Sequence, residues 1–304
     1  MIIFHAALTK YALQKYYNRF PIQRLNVLKS FCNDPHDTLD FVETDRYKVN
    51  KVILDSGTWA LNQRPNLARY INLNNYLRYL ERNASYFDYY FNFDANFDAD
   101  GFEDNLDNYN QLVKAGFSPV PVIHDIFGDE IPYYRDRGVS MIALGSTQIR
   151  SLRNMDIVFN KLSGTKVKVH LLGRIQYSFL ADFPLYSCDS SGWTQTGSFG
   201  CVYFWNPEKN DADKTDILYL EERYNLNGRQ NTTGIPLTSY PHKGQFNNYL
   251  KQKFGFTKKD LLGVCNSYNK SIVNLHYYSI LESEINRLHR KNGFLDAAGN
   301  INIP

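Results

Sequence analysis

Asp55, Asp94 and Asp189 each stand at the end of a short apolar run: Val52-Ile-Leu-Asp55, Tyr89-Tyr-Phe-Asn-Phe-Asp94 and Pro184-Leu-Tyr-Ser-Cys-Asp189. A carboxylate at the end of a buried strand is costly unless it has partners or work to do. Two carboxylates flanking a glycosidic carbon can displace a leaving group from a sugar, one attacking and the other exchanging protons. A third suits the donor edge of a guanine, because an ionised Asp only accepts and guanine N1–H and its exocyclic amine only donate. For any one of the three, the plain alternative is a helix N-cap or a strand-end turn. Other runs also end polar or glycyl: Pro119-Val-Pro-Val-Ile-His124, Met141-Ile-Ala-Leu-Gly145 and Val167-Lys-Val-His-Leu-Leu-Gly173.

Elements that gather such ends in one place are parallel strands joined by helices. Residues 1–7 give a first strand ending near His5, and 8–50 read as an irregular excursion. Pro65 opens a helix carrying Leu67, Tyr70, Ile71, Leu77 and Leu80 at helical spacing. Gly101 introduces Phe102, Leu106, Tyr109, Leu112 and Val113, and Gly116 closes that helix. Shorter helices fall at Gly128–Arg137, over Ile149–Leu162 and around Ile175–Leu180. This alternation predicts an α/β fold, a (β/α)8 TIM-like barrel, whose strand ends share one mouth. An open doubly wound sheet is the second choice, but no glycine-rich phosphate fingerprint follows the early strands. After Asp189, Cys201–Trp205 and Asp216–Leu220 read as an inserted hairpin with a long loop. Asn225–Thr233 is loop-like, and a helical C-terminal segment includes a long amphipathic helix through Ile272, Leu275, Leu281, Ile285 and Leu288. The expected organisation is a barrel core over 1–206 and an appendage over 207–304.

With 304 residues, 43% of them apolar, the chain can bury a full core, and no 18-residue apolar run marks a membrane span. A formal charge of +3 puts any basic surface in local patches. The four cysteines, Cys32, Cys188, Cys201 and Cys265, lack zinc-ligand spacing, so no metal and no cofactor is expected, and reduced thiols fit a cytoplasmic protein. The start, Met-Ile-Ile-Phe-His, lacks the basic flank of a secretory signal.

Asp55-Ser-Gly-Thr-Trp59, Asn92-Phe-Asp94, Ala143-Leu-Gly-Ser146, Leu171-Leu-Gly173 and Cys188-Asp-Ser-Ser191 together resemble the ordered motifs of the tRNA-guanine transglycosylase superfamily. The resemblance covers roughly residues 50–195. It implies an (α/β)8 barrel that exchanges a guanine in a polynucleotide for a free 7-deazaguanine base. Carried over, it makes Asp189 the nucleophile on the anomeric carbon and Asp55 the general acid/base. Ser56 would sit beside the base, Trp59 would stack on it, and Leu172 with Gly173 would form the opposite wall. Asp94 would accept from the guanine edge, and the Gly145 N–H would donate to the base carbonyl. His124 falls where the tRNA enzymes usually carry glutamine, which bears on the identity of the incoming base.

The tail departs from the tRNA enzymes, since nothing in 190–304 supplies their CxCxxC-plus-His zinc site. Compact relatives, phage proteins among them, resemble the branch that inserts 7-deazaguanines into DNA, which must flip its target base. DNA is therefore the expected partner and tRNA the alternative, in the cytoplasm of the host for a phage protein. Arg135, Arg137, Arg150, Arg153 and Arg174, with Lys251, Lys253, Lys258 and Lys259, are candidate phosphate contacts, Arg150, Arg174, Lys258 and Lys259 foremost. A barrel glycoside hydrolase and a non-catalytic nucleic-acid-binding relative remain as rival readings.

Overall fold

The computed structural model describes residues 1–32, 44–98, 100–145, 148–220, 234–296 and 298–303. Eight strands form one curled, all-parallel sheet: β1 (Ile2–Ala6), β2 (Leu25–Ser30), β3 (Val49–Asp55), β4 (Tyr89–Tyr90), β5 (Val122–Ile123), β6 (Met141–Leu144), β7 (Lys168–Leu171) and β8 (Ser187–Ser190). Their order is β4-β3-β2-β1-β8-β7-β6-β5, so the first and last strands are neighbours, with Phe4 opposite Asp189. The two edges, β4 and β5, are consecutive along the chain. Beside them Phe91 bridges Val120 in parallel, Asn92 N–H donates to Val120 O (2.8 Å) and Val120 N–H donates to Tyr90 O (2.8 Å).

The sheet encloses Phe4, Leu28, Ile53, Phe91, Val120, Val122, Met141 and Ala143, with Leu172 and Tyr186 packed against them. Every strand or its flank contributes to this cluster, and each large apolar side chain buried there is worth roughly 1.5–3 kcal/mol. Side chains two apart on a strand share a face. Asp55 therefore follows Ile53 onto the enclosed face.

The helices are α1 (Lys10–Arg19), α2 (Thr58–Gln63), α3 (Leu73–Asn83), α4 (Phe102–Lys114), α5 (Glu130–Asp136), α6 (Leu152–Leu162), α7 (Tyr177–Asp182), α8 (Gly192–Ser198), α9 (Lys243–Phe254) and α10 (Ser267–Lys291). No helix among the described residues is long and apolar enough to cross a membrane.

Packing divides the chain into two compact units. One comprises Met1–Leu8, Arg24–Ser190 and Ile285–Pro304, and holds the eight-stranded sheet. The other comprises Thr9–Gln23 and Ser191–Glu284. The division is interleaved along the chain, whereas the sequence suggested one boundary between 206 and 207. In the second unit, β9 (Cys201–Trp205) pairs antiparallel with β10 (Thr215–Tyr219), which β11 (Ile235–Pro236) joins in parallel. Buried Asn274 of α10 accepts from Tyr203 N–H (2.8 Å) and donates to Trp193 O (2.9 Å), tying that sheet and α8 to the long helix.

Two expectations are corrected. Residues 8–50, read as irregular, contain α1 and β2. The helix expected from Pro65 through Leu80 is instead a 3-10 segment, Pro65–Arg69, followed by α3. It breaks because Asn72 caps α3, its side-chain oxygen accepting from Asn75 N–H at 2.9 Å, as short polar caps do. Asn33-Asp-Pro-His36, the loop reading of Asn225–Thr233, and Ser146 lie outside the described residues.

Candidate active site

Asp55 is the last residue of β3, in register with Ser30 at the end of β2. Ser30 Oγ donates to Asp55 Oδ2 (2.8 Å), and Gly57 N–H donates to the same oxygen (3.1 Å). Gly57 can do so because it adopts φ +81°, and a Cβ there would lie 2.6 Å from Cys32 Cβ and 2.7 Å from Cys32 N. Both the left-handed backbone and the close approach require glycine. Burial pushes the Asp55 carboxyl up to about 7, against the pull of Ser30 and Gly57, and the negative charges of Asp94 and Asp189 push the same way as burial.

Asp94 is held differently. Its Oδ1 accepts from Ser56 Oγ (3.1 Å) and Thr58 Oγ1 (2.9 Å), and its Oδ2 lies 2.9 Å from His124 Nε2. An ionised carboxylate only accepts, so the hydrogen-bond pattern assigns the proton to Nε2 of that imidazole. The ring fits because residue 145 is glycine: a Cβ there would stand 3.0 Å from His124 Nδ1 and Cε1. The His124 backbone is fixed in turn. Glu130 accepts from His124 N–H (2.9 Å) and Asp125 N–H (3.1 Å), while Lys161 Nζ donates to the carbonyls of Ile126, Phe127 and Gly128 at 2.7–2.9 Å.

Asp189 lies near the end of β8, where Ser187 and Cys188 register with His170 and Leu171 of β7. Its Oδ1 accepts from Gly173 N–H (2.9 Å) and meets His170 Nε2 (3.2 Å). Among the described residues, no donor reaches Oδ2 of Asp189 or Oδ1 of Asp55. The three carboxylates therefore differ in kind. Asp94 has both oxygens engaged and is suited to binding, while Asp55 and Asp189 each keep one open oxygen for chemistry.

Ser56 is buried on Asp94. Trp59, in the first turn of α2, is 68% exposed. Leu172 packs against the enclosed cluster, and Gly173 contributes its N–H to Asp189. The Gly145 N–H, expected to be open to a base carbonyl, donates instead to Ile123 O (2.9 Å), because β6 continues its ladder with β5 through that residue. Arg174 follows Gly173 and lies over the Phe179 ring (4.8 Å), while Arg150 is exposed. Lys258 and Lys259 belong to the second unit, on a turn capped by Thr257 and Asp260.

Sequence reasoning missed Ser30, Thr58 and His170. Ser30 ends a strand just as Asp55 does, so the rule that found the aspartates would have found it had β2 been read as a strand. Among the described residues no group of three or more His, Cys, Asp or Glu side chains could hold a metal ion. No family model and no curated protein matches the chain.

Proposed function

We propose that this protein is a guanine transglycosylase that exchanges guanine in DNA for a 7-deazaguanine through a covalent aspartyl–sugar intermediate. The observation that carries this reading is the unequal treatment of the three carboxylates: one fully engaged, and two that each keep one open oxygen. The bridge between Phe91 and Val120 and the neighbouring hydrogen bonds support a closed (β/α)8 barrel, whose mouth would gather those strand ends.

In this reading Asp189 Oδ2 attacks C1′ of the target nucleotide. The C1′–N9 bond breaks, and its electron pair leaves with the base. Asp55, protonated near neutrality because burial pushes its carboxyl to about 7, gives its proton to that base. After the bases exchange, Asp55 takes the proton from N9 of the incoming 7-deazaguanine. N9 then attacks C1′ and the bond to Asp189 breaks, so two displacements retain the sugar configuration. Asp94 accepts from the donor edge of the base. His124, donating to Asp94 from Nε2, would turn its remaining ring nitrogen to the base as an acceptor, where an amide would offer both a donor and an acceptor.

DNA as the polymer is supported by the lack of zinc-ligand spacing in the tail and by aromatic side chains in the first turn of α2 and on the loop after β5. Trp59 is 68% and Phe127 57% exposed, and both can stack on unpaired bases. The test offers labelled guanine and labelled 7-deazaguanine to duplex DNA and to tRNA in parallel. Label should enter DNA. Label entering only tRNA would refute the polymer assignment, and label entering neither would refute the transglycosylase reading.

A further inference from the structure

The Asp189 carboxylate is clamped from one side by a histidine with no part in the chemistry so far. His170 is fully buried on the enclosed face of β7, its ring 5.1 Å from that of Phe91 and 6.0 Å from that of Phe4. A polar ring in such surroundings is costly unless both nitrogens are satisfied. They are: Nδ1 is 2.8 Å from Ser187 Oγ, and Nε2 is 3.2 Å from Asp189 Oδ1. A carboxylate only accepts, so Nε2 carries the ring proton, and Nδ1 accepts from the Ser187 hydroxyl. The relay Ser187 to His170 to Asp189 thus has one direction, and it ends on the oxygen that Gly173 N–H also holds.

Resting on the proposed function, we infer that His170 is a positioning residue that selects Oδ2 of Asp189 as the attacking oxygen. Two N–H donors on Oδ1 stop the carboxylate from turning about its Cβ–Cγ bond and leave the Oδ2 lone pairs directed at the sugar. In the intermediate, Oδ2 is the ester oxygen and Oδ1 the ester carbonyl. When the C1′–Oδ2 bond breaks in the second displacement, the returning charge spreads onto Oδ1, where the two donors are already in place. Donors organised before charge develops need no rearrangement at the moment of reaction.

The test compares His170→Phe, whose ring suits the Phe4 and Phe91 surroundings, with His170→Gln, which keeps an N–H donor of similar reach. Both are checked for native near-UV circular dichroism and assayed for base exchange in duplex DNA and in tRNA. His170→Phe should lower kcat about 10²-fold, the scale of a misplaced reacting group, with KM for the polymer changed less than about 3-fold. His170→Gln should recover at least about a tenth of the native rate, because one donor returns to Oδ1. Native kcat in folded His170→Phe, equal loss in both folded variants, or a loss confined to KM would overturn the assignment.

A second readout needs no activity. The His170 Nε2–H should give a slowly exchanging imidazole proton resonance that disappears in Asp189→Ala. Its absence from the unaltered protein would overturn the clamp. If the unaltered protein exchanges no base in either polymer but shows the resonance, the proposed function falls while the clamp stands.

Discussion

Replacing Asp55 with Asn should stabilise the protein above neutral pH while removing its acid/base group. In the folded protein the carboxyl titrates at about 7, against an ordinary value of 3.8, chiefly because it is buried. A group whose folded value is raised favours the folded state below its unfolded value, and that contribution is lost as pH rises through the folded one. The window is therefore pH 4 to 7, across which the unfolded chain ionises Asp55 and the folded protein does not. About three pH units at 1.36 kcal/mol each would give ~4 kcal/mol. The side chain keeps some solvent contact, so screening reduces this to roughly 2 kcal/mol. Asn keeps an oxygen that can accept from Ser30 and Gly57, so the local geometry should survive. Urea denaturation of both proteins at half-unit steps from pH 4 to 8.5 measures the difference. It should grow in favour of Asp55→Asn up to about pH 7 and then level off. A difference independent of pH, or a variant that becomes relatively weaker as pH rises, would refute the reasoning.

Asp189→Ala should abolish base exchange and any covalent adduct trapped on the chain while leaving circular dichroism native; normal turnover would remove Asp189 as nucleophile. Gly57→Ala should cost at least about 2 kcal/mol, combining the left-handed backbone penalty with the Cys32 clash, and should also lower exchange by displacing the N–H that holds Asp55; denaturant midpoints and turnover check the two parts. His5, His276 and His289 are each pushed down to about 4 by burial, so their stabilisation is present above the unfolded value near 6.5 and is lost as pH falls towards 4. Replacing His289 with Phe should flatten the pH dependence of the unfolding free energy from urea denaturation in that window by up to about 1.4 kcal/mol per pH unit; an unchanged slope would refute its contribution.

The aspartates were legible because an apolar run ending on a carboxylate is a strong local contrast. β2 was not, since Leu-Asn-Val-Leu-Lys-Ser interleaves polar residues with only three apolar ones. One of those polar residues, Asn26, is buried and accepts from Asn50 Nδ2 at 2.9 Å, a partner that only the adjacent strand supplies. Losing the strand also lost Ser30. His170 was hidden for another reason: in Lys-Val-His-Leu it alternates like any residue of a half-polar strand, and its role depends on Ser187 and Asp189, which no local pattern connects to it. The break at Asn72 was likewise overridden by apolar spacing that runs on through the cap.

The pairing of β1 with β8 also governs how the molecule is made. Ile2 must find Ser187, and Phe4 must find Asp189, so β1 waits until β8 has been made before gaining its second neighbour. Strand pairing over such separations pays a large loop-closure cost before any return and is slow. Until then β1 presents an unpaired edge next to apolar Ile3 and Phe4, the kind of surface that aggregates or recruits chaperones. The strand carrying Asp189 is thus seated late in synthesis. A ribosome stalled before β8 emerges should display β1 with that edge still open to limited proteolysis, and extension of the chain through β8 should protect it.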